Sequence, residues 1–271
     1  MSIHLTNKLS INQTLINWYL ENITLEVDED MRNIFINLKN GVEGWKKGTQ
    51  LRNPQFVPKN SMEKIKENLS LYLNQITNAN YSTIQKKIMN DIDNSLDAQN
   101  LFIDLVLTNC LCQPNNLLVI VQLLLDLKYI EPIIEKEEKC LFEGELMRET
   151  DTENYDQLCI DNKANLIYKS GFIFLGMIYN KSNNIPTTKL LKYFEFLETH
   201  ILNPNYNKEL SEKYIDIYVE LIRLVESKFK LENREMFNVI FKKLEEWKSL
   251  RQKFTNRARF SILDYIESVV L

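Results

Sequence analysis

Glycine and proline each occur only six times in 271 residues. Average usage would supply roughly three times as many of the two together. Sandwiches and barrels need turn residues about every 8–12 positions, and this chain cannot provide them. The six glycines (Gly41, Gly44, Gly48, Gly144, Gly171 and Gly176) form neither GxGxxG nor GxxxxGK[ST], so a glycine-cradled phosphate site is excluded. An all-α chain is what remains.

Helix has to be read from periodicity, because asparagine, a mediocre helix former, occurs 31 times and alanine only four. Cys110, Cys112, Cys140 and Cys159, with His4 and His200, are too scattered for a zinc site. Cys110-Leu111-Cys112 lies in an apolar run and reads as buried thiols. No apolar run reaches the roughly 18 residues of a membrane span, and Met1-Ser2-Ile3-His4 opens no signal peptide. A soluble, cytoplasmic protein without a membrane association is expected.

Residues 1–60 stand apart as a docking segment and linker. Helical spacing is visible at 12–23 and 28–38, and Gly44, Gly48, Pro54 and Pro58 crowd the end. From Ser61 onward, apolar residues step by three and four, as in Ile65, Leu69, Tyr72, Leu73 and Ile76. Breaks at 77–80, 113–116, 185–186, 203–204 and 231–233 divide this region. The expected helices are 61–76, 81–92, 96–112, 117–128, 131–146, 161–180, 187–201, 208–229, 232–251 and 255–270, with 147–160 a loop. Five antiparallel pairs of about 40 residues make a HEAT-type α-solenoid over 61–271.

Four pieces, in order, resemble the middle domain of eukaryotic translation initiation factor 4G. Leu71-Tyr72-Leu73-Asn74-Gln75-Ile76-Thr77 with Tyr81 is similar to that family's "ILNKLT" helix end and following aromatic. Val106 to Leu127, containing Gln113-Pro114-Asn115, is similar to "IFEKA…EPNF". Phe172-Ile173-Phe174-Leu175-Gly176-Met177-Ile178-Tyr179 resembles "IKFIGELF", and Arg257-Ala258-Arg259-Phe260-Ser261-Ile262-Leu263 resembles "RIRFMLQDVI". The chain departs from the pattern at Met177, Ile178, Ser261 and Ile262. The resemblance covers about 62–268 and extends upstream to Trp45-Lys46-Lys47, a tryptophan-plus-basic linker anchor.

The resemblance implies a scaffold that binds and stimulates a DEAD-box RNA helicase of the initiation factor 4A type. Matching positions are Leu73, Ile76, Tyr81, Phe174 and Phe260, of which a core role is the expectation, and Arg257 and Arg259, placed for surface contact. A cap-binding protein of the factor 4E type is the second implied partner. Its Tyr-x-x-x-x-Leu motif is absent, which leaves Trp18, Tyr19, Leu25 and Phe35 as anchors. The alternative is a related mRNA-processing or decay adaptor with the same domain and no helicase stimulation.

No spacing assembles a nucleophile, base and acid, so neither an enzyme nor a cofactor is expected. Charge is uneven although the net is −4: residues 131–161 carry eleven acids against three bases, and 228–259 ten bases against four acids. The basic stretch is a candidate RNA contact, or else an ordinary solvated helix face. Phe229, Phe237, Phe241 and Trp247 within it are spaced for a core rather than for base stacking.

Overall fold

The computed structural model describes residues 61–270, apart from 94, 112 and 151–152. Among these residues ten α-helices follow one another and there is no strand. They are α1 (Ser61–Gln75), α2 (Tyr81–Ile92), α3 (Leu96–Leu105), α4 (Leu117–Leu127) and α5 (Ile130–Glu143), then α6 (Tyr155–Lys181), α7 (Thr187–Ile201), α8 (Lys208–Glu232), α9 (Arg234–Trp247) and α10 (Asn256–Val270). A π-helical turn, Val106–Cys110, continues α3, and a 3-10 turn, Pro114–Asn116, leads into α4. No described helix is long and apolar enough to cross a membrane.

Asparagine sets several of these helix starts. The side-chain oxygens of Asn154, Asn207 and Asn233 accept from the backbone N–H three residues on, at Gln157 (3.2 Å), Leu210 (2.7 Å) and Met236 (3.1 Å). Each satisfies a donor that a helix start otherwise leaves without a partner. The Asn154 cap explains the main departure from the expected elements. Residues 155–160 are helix rather than loop, because the cap, Asp156 at the positive end of the helix, and a Gln157-to-Asp161 hydrogen bond (2.8 Å) nucleate α6 early. The expected helix over 96–112 passes instead into the π turn, and α5 stops at Glu143, where Gly144 turns extended.

The buried residues follow the expected stripes, such as Leu69 and Leu73 on α1 and Ile84, Ile88 and Ile92 on α2. Helix α6 is the exception. It is buried around its whole circumference from Ser170 to Gly176, and α4, α5, α7 and α8 all pack on it. It lies close against α8 at Gly176, where an added Cβ would stand 2.6 Å from Leu221 Cδ1 and 3.0 Å from Leu224 Cδ2. Edge-to-face contacts join Phe142 to Phe196 (4.8 Å between centroids) and Phe194 to Tyr218 (4.9 Å). Phe229, Phe237 and Trp247 are buried in the same core. Substantial packing joins helices one or two apart in chain order, within the unit Lys59–Leu271.

The helices are also tied by repeated polar clasps, in which a tyrosine hydroxyl donates to a carboxylate that a second side chain also holds. Tyr218 donates to Glu198 (2.9 Å), which Lys243 pairs from α9 (2.6 Å). Tyr265 donates to Glu226 (3.1 Å), paired with Lys230 (2.6 Å), and Tyr179 donates to Glu232 (2.7 Å), paired with Lys228 (3.5 Å). Tyr193 donates to Glu138, which Lys189 pairs at 2.8 Å. Tyr81 donates to Asp126 (2.6 Å), with Gln122 in the lysine's place (2.8 Å). Burial, reinforced by the adjacent carboxylate, pushes all five phenols up, so each stays a donor. Replacing Tyr218 by Phe leaves Glu198 short of a donor. The expected loss is about 1–3 kcal/mol, measured by urea unfolding, with exposed Tyr155→Phe as the unchanged control.

Glu137 on α5 is buried with no basic partner among the described residues, its carboxyl occupying the space beside Gly171 where a Cβ would collide with it. Burial raises it to about 7 from an ordinary 4.5. Since the folded value lies above the unfolded one, its contribution to stability is complete below pH 4.5 and is lost as pH rises through 7. Glu137→Gln is therefore expected to stabilise the protein at pH 8 by up to about 3 kcal/mol and to change little at pH 4.5. Denaturant midpoints at the two pH values check this.

Candidate protein-binding edge

Three alternate helix connections are bonded side by side. The α5–α6 connection lies across α6, where Asn165 accepts from the Arg148 N–H (2.8 Å) and donates back to its carbonyl (3.0 Å). Lys213 of α8 donates to the same carbonyl (2.9 Å), and the Arg148 guanidinium pairs with Asp161 (3.5 Å). Asn207, in the α7–α8 connection, donates to Glu149 (2.8 Å). In the α9–α10 connection, Lys253 donates to the Asn203 carbonyl and Thr255 to Glu212. The three connections thus form one continuous edge. Buried Asp161 and Asn165 are invisible as core in the sequence; their only signal is a pair of polar residues four apart on a helix that is otherwise apolar on that side.

The start of α10 belongs to this edge. Arg257 is 77% exposed in its side chain, yet its guanidinium reaches Glu212 (3.3 Å) and Asp216 (3.5 Å) on α8. Burial raises the Asp216 carboxyl, and the Arg257 cation works against that rise. Phe260 is 64% exposed, which corrects the expectation of a core role: its turn of α10 presents Ala258 and Ile262 inward instead. Arg259 is corrected the other way. It is half-buried, and its Nε donates to the Lys248 carbonyl (2.9 Å), so it holds the α9–α10 connection rather than facing a partner.

The remaining candidate positions are interior. Leu73, Ile76 and Phe174 are buried, with Ile76 one residue beyond the end of α1. Tyr81 is half-buried and spends its hydroxyl on Asp126. The first three belong to the core, and Tyr81 ties α2 to α4. Trp18, Tyr19, Leu25, Phe35 and Trp45 lie outside the described residues.

The basic stretch 228–259 is partly taken up by the fold: four of its ten cations pair with carboxylates and two more bond backbone carbonyls. Lys228 donates to the carbonyls of Tyr179 and Ser182 (2.7 Å each), Lys243 pairs with Glu198, and Arg257 with Glu212 and Asp216. Lys230, Lys253 and Arg259 are likewise engaged. Arg234, Lys242, Lys248 and Arg251 remain for solvent. Among the described residues no group of three or more His, Cys, Asp or Glu could hold a metal ion. Cys110 is buried, whereas Cys140 and Cys159 are exposed.

Neither models of known protein families nor characterised proteins match this sequence.

Truncating the interior and the edge should separate cleanly. Phe174→Ala is expected to cost about 3–5 kcal/mol, whereas Phe260→Ala and Arg257→Ala should each stay within about 0.5 kcal/mol of the parent. Thermal melts of the three variants test the assignment.

Proposed function

We propose that this chain is a HEAT-type α-solenoid of five antiparallel pairs, acting as a translation initiation scaffold in the cytoplasm. Its principal partner is a DEAD-box RNA helicase of the initiation factor 4A type. The observation that carries the reading is the nearest-neighbour packing of ten helices with alternate connections bonded into one edge, over the same residues whose order of motifs resembles the factor 4G middle domain. A stack of this kind offers widely separated contact points on one stiff body.

The scaffold engages both lobes of the helicase and holds them half-closed, which favours ATP exchange and product release. This requires only that it bind one lobe arrangement better than the others. The nucleotide and its Mg²⁺ belong to the helicase, and this chain donates no catalytic group. Phe260 and Arg257 are the surface contacts at the α10 end. Residues 1–60 bridge to a cap-binding protein of the factor 4E type, and any RNA contact falls to Arg234, Lys242, Lys248 and Arg251. The second reading, a related mRNA-processing or decay adaptor, shares the architecture and lacks the stimulation.

Mixing the full chain with a factor 4A helicase and measuring pull-down and RNA-stimulated ATPase decides between them. Binding with a several-fold faster ATPase, reduced by Phe260→Ala, is expected. Binding with an unchanged rate selects the adaptor, and no binding overturns both helicase contact and scaffold mechanism.

A further inference from the structure

The ends of α8 and α10 and the first turns of α9 border a cleft of about 620 Å³. Its apolar lining is Leu231, Phe237, Phe241 and Val269, and its charged lining is Lys230 and Arg234. The floor is fixed in place. Phe237 is only 3% exposed, stacks on Phe241 (6.3 Å between centroids), meets Phe229 edge-on (6.0 Å) and carries the Lys230 ammonium 4.7 Å from its ring centre. Leu231 is 88% exposed, more than any other large apolar side chain among the described residues. A preformed apolar cleft with a few charged groups at its wall is the usual form of a ligand site.

The sign of the charge is set by the lining itself. Among the described residues no carboxylate lines the cleft. The acids on the last turns of α8 are already held, Glu226 by Lys230 and Tyr265, and Glu232 by Tyr179 and Lys228. On α10, exposed Asp264 and Glu267 fall about 140° and 160° around the helix from Val269. On α9 the acid that shares the cleft face is Glu245, about 16 Å along the axis from Arg234. Arg234 is exposed, bonds no carboxylate among the described residues, and stands at the first position of α9, where the positive end of the helix adds to its charge.

We propose that this cleft docks an acidic segment of a partner protein, which seats a Leu or Phe side chain beside Leu231 and Phe241 and places a neighbouring carboxylate on Arg234. The inference is independent of the helicase reading. Arg234 is named above for any RNA contact, but Leu231 and Val269 offer no ring for a base to stack on and Phe237 is covered, which favours a peptide. The test titrates the full chain into a fluorescent synthetic Phe/Leu/Glu peptide and its Phe/Leu/Gln and Phe/Leu/Lys counterparts, reading anisotropy. The acidic peptide should bind at least about tenfold tighter than the other two, and weaken as salt rises. The double variant Leu231→Ala, Arg234→Gln should lose about tenfold or more in affinity with an unchanged melting curve. Equal binding of the three peptides, or equal binding by parent and double variant, overturns the proposal. So does single-stranded oligouridine that binds tighter than the acidic peptide and is lost in the double variant, since it makes RNA the occupant.

Discussion

The phenol–carboxylate clasps are the constraint on which the packing depends. Four of the five tyrosine bonds join helices two apart in chain order: Tyr81 to Asp126, Tyr179 to Glu232, Tyr193 to Glu138 and Tyr265 to Glu226. In the fifth, Tyr218 reaches Glu198 on the adjacent helix, and Lys243 supplies the longer link. Apolar burial is non-directional and would tolerate sliding of one helix along another. A carboxylate bonded by two donors at fixed positions does not, because a slip leaves those donors and the charge without partners. The clasps therefore set the register at which the aromatic core closes.

That role accounts for the charge of the second half of the chain. Lys228, Lys243, Lys253 and Arg257 look like a basic surface only when their partners are left out, and those partners, Tyr179, Glu198, Asn203 and Glu212, lie 45 or more residues away. The acidic stretch is taken up in the same way: Glu138 pairs with Lys189, Glu145 and Asp161 with Arg148, and Glu149 accepts from Asn207. Charge available to a partner is what survives this internal pairing.

Much of the fold was legible because its signals are local. The helical steps of Ile65, Leu69 and Leu73, or of Ile84, Ile88 and Ile92, need no tertiary information, and neither does the scarcity of glycine and proline. The start of α6 is not legible in the sequence although its cap stands at Asn154, because in a chain with 31 asparagines no single one stands out. The surplus is partly structural, since Asn154, Asn207 and Asn233 convert a poor helix former into a helix start. At the candidate edge the motif positions were legible and their exposure was not. Phe260 and Phe174 are the same residue type on helices, yet one faces solvent and the other is fully buried.

By itself the sequence determined that the chain is helical and where most helices begin and end, because capping and 3.6-residue periodicity act within a few positions of each residue. Tertiary structure alone decided which polar groups are consumed. Asn165 clamps a backbone 17 residues away, Glu198 is shared by Tyr218 and Lys243, and Arg257 is answered by Glu212. Whether a charged or aromatic side chain is left to meet a partner depends on the helices that pack beside it, and that is a property of the stack rather than of any one segment.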